Sequence, residues 1–315
     1  MQNLGSLFIS KPLRAFATPT PQYMESSILT DVFLPASLFV IMLGMGLSLV
    51  IEDFKRIFKF PKPILIGLVN QLIFLPLIGF GMCHLFNLPN ELAIGMMLLA
   101  ACPGGVTSNL ISHVSRGDTA LSVSLTAISS FITLVTIPLY VGFAFHYFNN
   151  TGQEVDVDEV GMLLQVLVIV IIPIAIGMFI RSRNEPFALR MDRPVRIFST
   201  VLFILILVSI IVKERETIVQ YFPQIGGATV ALNIITLLVG YYSAKFFQLD
   251  QRQAITIAIE SGIQNGTLAI VIASTVLANF TLSIPAGIYG LVMFVSGGFF
   301  MYYFGKKFKR EGVER

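Results

Sequence analysis

A helix needs about 20 mostly apolar residues to cross a bilayer, and charge-free runs of that length dominate this chain. They cover residues 32–51, 63–90 (apolar to about 86), 92–115, 119 to about 145, 160–180, 197–212, about 226–247, a stretch starting near 253, and 284–304. The sixth run is short, but Arg196 and Lys213 can snorkel from its ends. Residues 261–305 carry no charge at all, too long a stretch for one helix, and the polar break at 279–283 divides it. The expected fold is therefore an all-α polytopic membrane protein with nine transmembrane helices.

Composition agrees. Of 315 residues, 55% are hydrophobic and 12% charged, with mean hydropathy +0.81; soluble domains average about 25% charged. A soluble fold this size could not hide so much apolar surface. This excludes soluble enzymes, disordered chains and nucleic-acid binders. Cys83 and Cys102 form neither a disulfide framework nor a CxxC pattern. Residues 1–30 read as an extracytoplasmic leader, interfacial or disordered. Lys11, Pro12, Arg14, Pro19 and Pro21 interrupt its apolar residues, and it has no signal-peptide cleavage site.

Lys and Arg in short loops set orientation. Seventeen of the 21 fall on one side: Lys55, Arg56, Lys59, Lys62, Arg116, Arg181, Arg183, Arg190, Arg193, Arg196, Lys245, Arg252 and five in the tail 306–315. Lys11, Arg14, Lys213 and Arg215 fall on the other. The predicted C-terminus is cytoplasmic and the N-terminus outside, in a multi-pass protein of the inner or plasma membrane.

An offset of 161 residues superposes Phe86, Leu88, Ala93 and Ile94 on Phe247, Leu249, Ala254 and Ile255, and Gly79 on Gly240. The matched spans run in opposite directions, so the repeat is inverted, a plan typical of secondary transporters with a midplane site. The expected division is a first four-helix repeat at 31–146, an external acidic loop at 147–160, a second five-helix repeat at 161–305 and a basic tail at 306–315. The first repeat then lacks an opening helix.

Each repeat holds one segment unsuited to a plain spanning helix. One contains Cys102-Pro103-Gly104-Gly105-Val106-Thr107-Ser108-Asn109; the other contains Glu260-Ser261-Gly262-Ile263-Gln264-Asn265-Gly266. Proline and glycine favour unwinding there. Broken backbone at membrane depth persists only where it lines a cavity or binds something.

Glu260 is the only acid deep in any span, and a bare carboxylate there costs about 2.5–3.5 kcal/mol on insertion scales. No deep Lys or Arg can pair with it, which leaves a proton or a cation. Ser108, Asn109, Ser122, Thr126, Gln71, Gln264 and Asn265 offer neutral oxygens, and Ser122 and Thr126 share one helix face. One carboxylate with neutral oxygens suits a monovalent ion better than Mg²⁺ or Ca²⁺. Alone, Ser122 and Thr126 are as often bonded to backbone, and Gln71 is more often interhelical glue. Cys102 reads as packing, and His84 and His113 as interfacial. No nucleophile–base pair or paired carboxylates point to an enzyme. A proton-coupled anion carrier and a metalloid (arsenite) exporter are the alternatives.

The run Cys102-Pro-Gly-Gly-x-x-Ser-Asn109, then Arg116-Gly117 and Ala120-Leu121-Ser122-x3-Thr126, resembles the bile acid:sodium symporter family, and Glu260-Ser-Gly-x-Gln264-Asn265 resembles its second crossing helix. The likeness, covering about 31–305, is that of a bacterial homologue of the ileal and hepatic sodium-dependent bile acid transporters. Its nine spans are similar to the animal arrangement rather than the ten-helix bacterial one. The resemblance implies a core domain (63–146 and 226–305) and a panel domain (31–51 and 160–212), with two broken helices crossing in the core. It implies one Na⁺ at Ser108, Asn109, Ser122, Thr126 and Glu260. A second lies at Gln71, Glu260 and Gln264 with the carbonyls of Ser261 and Ile263. The organic anion, a bile acid or similar carboxylate or sulfonate, is expected near Asn265, Thr107 and Asn109, imported by alternating access. The other expected partner is membrane lipid, with no nucleic acid, and the expected state is a monomer.

Overall fold

The computed structural model describes residues 33–148, 159–213 and 215–310. The leader, most of the acidic loop and the end of the tail lie outside the described residues. Those described are almost entirely helical, and their only β-pairing is one isolated bridge.

The chain opens with α1 (Leu34–Ser48) and α2 (Ile51–Lys59), which meet at a 61° bend. The first charge-free run, 32–51, ends at this bend. There Leu49 and Val50 adopt extended backbone, and the Asp53 carboxylate accepts the Val50 amide at 2.9 Å, starting a new helix. That helix is strongly amphipathic, with Glu52 and Asp53 in its first turn and Arg56 and Lys59 in its last, as the helix dipole favours.

The second run becomes α3 (Pro61–Val69), a π-helical turn (Asn70–Phe74) and α4 (Leu75–Leu85). The third is broken into α5 (Asn90–Ala101) and α6 (Val106–Val114). Then come α7 (Thr119–Phe148), α8 (Glu159–Arg183), α9 (Glu185–Lys213) and α10 (Arg215–Phe246). The eighth run is again broken, into α11 (Gln251–Gly262) and α12 (Gly266–Val271), which continues as a π turn (Ile272–Val276). A 3-10 turn (Thr281–Ser283) fills the expected polar break and leads into α13 (Ile284–Arg310).

Among the described residues, five helices are long and apolar enough to cross a membrane, six when the bent pair counts as one span. The shorter pieces of the two broken runs fall outside that count because their breaks divide them. α9 is 29 residues long, well beyond the sixteen-residue run at 197–212.

α1 packs most extensively on α8 and next on α9. Its crossing with α8 is backbone to backbone. A Cβ on Gly46 would collide with the Ile174 carbonyl, and one on Gly177 would lie 2.5 Å from the Leu43 oxygen. The remaining long helices gather around the broken pair. α10 lies along α11, α5 against α7, and α13 against α5, α6, α10 and α12. The surface of the long helices is apolar, with Leu65, Leu77, Val135, Leu139, Phe179 and Val295 each more than half exposed. That surface matches lipid rather than water.

Candidate functional site

The two breaks meet. Gly104 pairs with Gln264 in an antiparallel bridge, and the Asn265 amide donates to the Pro103 carbonyl at 2.9 Å. Pro103 cannot donate and disfavours helix in the residue before it. Cys102 is accordingly extended where α5 stops. In the second break Ile263 is extended, and the Asn265 side chain caps α12 by accepting the Leu268 amide at 3.1 Å. Each broken backbone thus satisfies part of the other.

Glu260, 1% exposed, ends up beside this crossing in the last turn of α11. The Ser122 hydroxyl lies 2.5 Å from its Oε1, and the Thr126 hydroxyl 2.9 Å from its Oε2. Both hydroxyls also approach Asn109 Oδ1, at 2.8 and 3.2 Å. Ser122 and Thr126, one turn apart on α7, therefore face Asn109 on α6 and Glu260 on α11. A hydroxyl carries one proton, so the two can fill only two of these four contacts at once. With the Asn109 oxygen turned toward them, the other two are oxygen against oxygen, an arrangement that a cation relieves. Ser108 is fully buried and donates to the Gly105 carbonyl at 2.7 Å.

Gly104 makes room for this cluster. A Cβ there would lie 2.6 Å from Glu260 Oε2, 3.2 Å from Gln71 Nε2 and 3.3 Å from Ser108 Oγ. Gln71, carried by the π turn, reaches the Glu260 carbonyl oxygen at 3.5 Å. Gln264 donates to the Ser261 carbonyl at 2.8 Å and approaches that of Glu260 at 3.4 Å. The side-chain oxygens of Gln71 and Gln264 are both buried without a hydrogen-bond partner. Buried orphan acceptors are costly, and two of them beside the end-of-helix carbonyls of Glu260 and Ser261 form an oxygen-rich environment that fits a second cation. Among the described residues, no three His, Cys, Asp or Glu side chains come together. The oxygens here are mostly neutral, as a monovalent ion prefers.

On the far side of the bridge is a cavity of about 150 Å³. Ile41, Met42 and Met45 of α1 form one wall; Thr107, Asn265 and Met293 lie among the residues opposite. Thr107 and Asn265 therefore line the space expected for substrate, whereas Asn109 belongs to the carboxylate cluster and is not part of the lining. Cys102 is fully buried within the apolar core.

The model of the Sodium Bile acid symporter family matches residues 35–221. The chain belongs to that family. It is 29% identical to the "uncharacterized sodium-dependent transporter YocS" of Bacillus subtilis, over 98% of this chain and 93% of that protein. It is 30% identical to the "probable sodium/metabolite cotransporter BASS1, chloroplastic" of Arabidopsis thaliana, over 80% of this chain and 61% of the relative. It is also 31% identical to the human P3 protein, over 74% and 48%. The chain thus spans less than two thirds of the plant and human proteins. The first two relatives are named as transporters, not enzymes. The family match includes Gln71, Ser108, Asn109, Ser122 and Thr126 and stops before α11, but the 310 residues aligned with the Bacillus protein necessarily include Glu260.

Sequence reasoning missed Asn233 and Tyr289. Both are fully buried, and both donate to the Gly262 carbonyl at the second break, at 2.7 and 2.8 Å. A lone amide in one apolar helix and a lone phenol in another carried no signal of a shared target. The π turn at Asn70–Phe74, which sets where Gln71 points, likewise lacks a sequence mark of its own.

Proposed function

We propose that this protein is a sodium-coupled symporter that imports an organic anion by alternating access, with two Na⁺ per substrate. The observation that carries the proposal is the buried Glu260 carboxylate, surrounded by neutral oxygens where two broken helices meet. Ser108, Asn109, Ser122, Thr126 and Glu260 hold the first ion. Gln71, Glu260, Gln264 and the carbonyls of Ser261 and Ile263 hold the second. The sodium-dependent relatives favour Na⁺ over a proton as the coupling ion. The burial of Cys102 in apolar packing gives no support to a metalloid carrier.

In this reading the chain has nine spans in inverted repeats, with its N-terminus outside. α1, α8 and α9 act as the panel, and the helices around the breaks act as the core. The anion sits in the cavity between α1 and the crossing, near Thr107 and Asn265, where the positive ends of the α6 and α12 dipoles favour negative charge. At about 150 Å³ the cavity is smaller than the roughly 300–1,000 Å³ of drug-sized ligand sites. A small carboxylate or sulfonate suits it as it stands, and a bile acid requires the panel to withdraw.

Two ions matter energetically. A tenfold Na⁺ gradient gives about 1.4 kcal/mol per ion, so two give roughly 2.8. With a monoanion, one net charge crossing 100 mV adds about 2.3 kcal/mol. The total, near 5 kcal/mol, sustains a substrate gradient of roughly several thousandfold. One Na⁺ per monoanion is electroneutral and sustains only about tenfold. Reconstitution into proteoliposomes with counting of charge per substrate tests this. One net positive charge is expected, and electroneutral uptake refutes the two-ion mechanism.

A further inference from the structure

The last carbonyls of α11 have no helical partners, because the helix stops at Gly262. Their fates differ. Those of Glu260 and Ser261 are approached by Gln264, and that of Glu260 also by Gln71. The Gly262 carbonyl is taken twice from the other side. Asn233 Nδ2 of α10 donates to it at 2.7 Å and Tyr289 Oη of α13 at 2.8 Å. Asn233 Nδ2 also lies 3.3 Å from Tyr289 Oη, so the three groups form one closed cluster. Both side chains are fully buried. With two donors on it, this carbonyl is not offered to an ion, and it anchors the broken end of α11 between two unbroken helices.

We infer that Asn233 and Tyr289 are positioning residues for the second Na⁺ site, tethering Gly262 so that the carbonyls of its chain neighbours Ser261 and Ile263 are held where that ion binds. The inference rests on the two-ion reading above. It also links ion to substrate: Met293, one helical turn beyond Tyr289 on α13, lines the cavity beside Gln264 and Asn265. Pressure on α13 from a bound anion is thereby transmitted to the residue that fixes the break.

The test uses the purified full-length chain and Na⁺ alone as probe, replacing K⁺ at constant ionic strength and following thermal stabilisation. Tyr289→Phe keeps the ring and removes only the donor. One neutral hydrogen bond corresponds to about a 2- to 12-fold change in equilibrium, so the Na⁺ midpoint should rise by about that factor. Asn233→Leu should act in the same direction. Gln71→Ala, which removes a ligand of the second site, should reduce the curve to a single site. The double variant Gln71→Ala/Tyr289→Phe should then titrate like Gln71→Ala alone, because the tether has no second site left to position. An unchanged midpoint in Tyr289→Phe, with Gln71→Ala still altering the curve, overturns the tether and leaves the two-ion reading standing. Additive effects in the double variant overturn it too, since they mark a general packing role. A wild-type curve in Gln71→Ala overturns the two-ion reading itself.

Discussion

Gly104→Ala is a one-carbon probe of the carboxylate site. The new Cβ would stand 2.6 Å from Glu260 Oε2. A relaxed carbon–oxygen contact lies at about 3.3 Å, so the carboxylate must retreat by about 0.7 Å. Thr126 holds that same oxygen at 2.9 Å. A retreat of that size exceeds the roughly 0.5 Å within which a binding constellation must be held. Losing one charge-assisted contact of the ion with this carboxylate costs about 1.5–3 kcal/mol, so Na⁺ affinity should fall roughly ten- to 150-fold. The neighbouring Gly105→Ala is the control: its Cβ would meet Asn265 atoms only at 3.6–3.8 Å, ordinary contact. Na⁺ titrations of thermal stability on both variants measure the difference. Wild-type Na⁺ affinity in Gly104→Ala, or an equal loss in Gly105→Ala, refutes the placement of the ion against this carboxylate.

Glu260→Gln keeps the shape and removes the charge shared by both sites; Na⁺-induced stabilisation should vanish, and its survival would reassign the ions. Gln71→Ala should lower the Na⁺ Hill coefficient of uptake toward one without abolishing transport. Met42→Trp places a larger side chain in the cavity wall, so substrate uptake should fail while Na⁺ still stabilises the protein; intact uptake would move the substrate site elsewhere.

The breaks were legible because their chemistry is written locally: Pro103 with Gly104 and Gly105 stops one helix, and Glu260 amid amides and glycines has no place in a plain apolar span. The spacing of Ser122 and Thr126 likewise announced a shared face. What was not legible depends on partners distant in sequence. Asn233 and Tyr289 find a common acceptor only after α10 and α13 pack against α11. The bend after α1 has no local mark because Leu49 and Val50 are apolar, and the Asp53 cap lies three residues beyond. The early start of α9 at Glu185 was hidden by Arg190, Arg193 and Arg196, which read as loop charges although arginine is a good helix former. Asn109 approaches Ser122 at 2.8 Å, and a residue's place on one side of a broken helix is not written in its neighbours.

The bridge between Gly104 and Gln264 has an evolutionary consequence. Main-chain atoms of two distant segments supply that pairing, so its hydrogen bonding does not depend on the side chains of the cavity's outer wall. Natural variation can therefore reshape the walls at Ile41, Met42, Met45 and Met293 to suit new cargo. The crossing, with the cation sites proposed beside it, stays intact while the menu of solutes diverges.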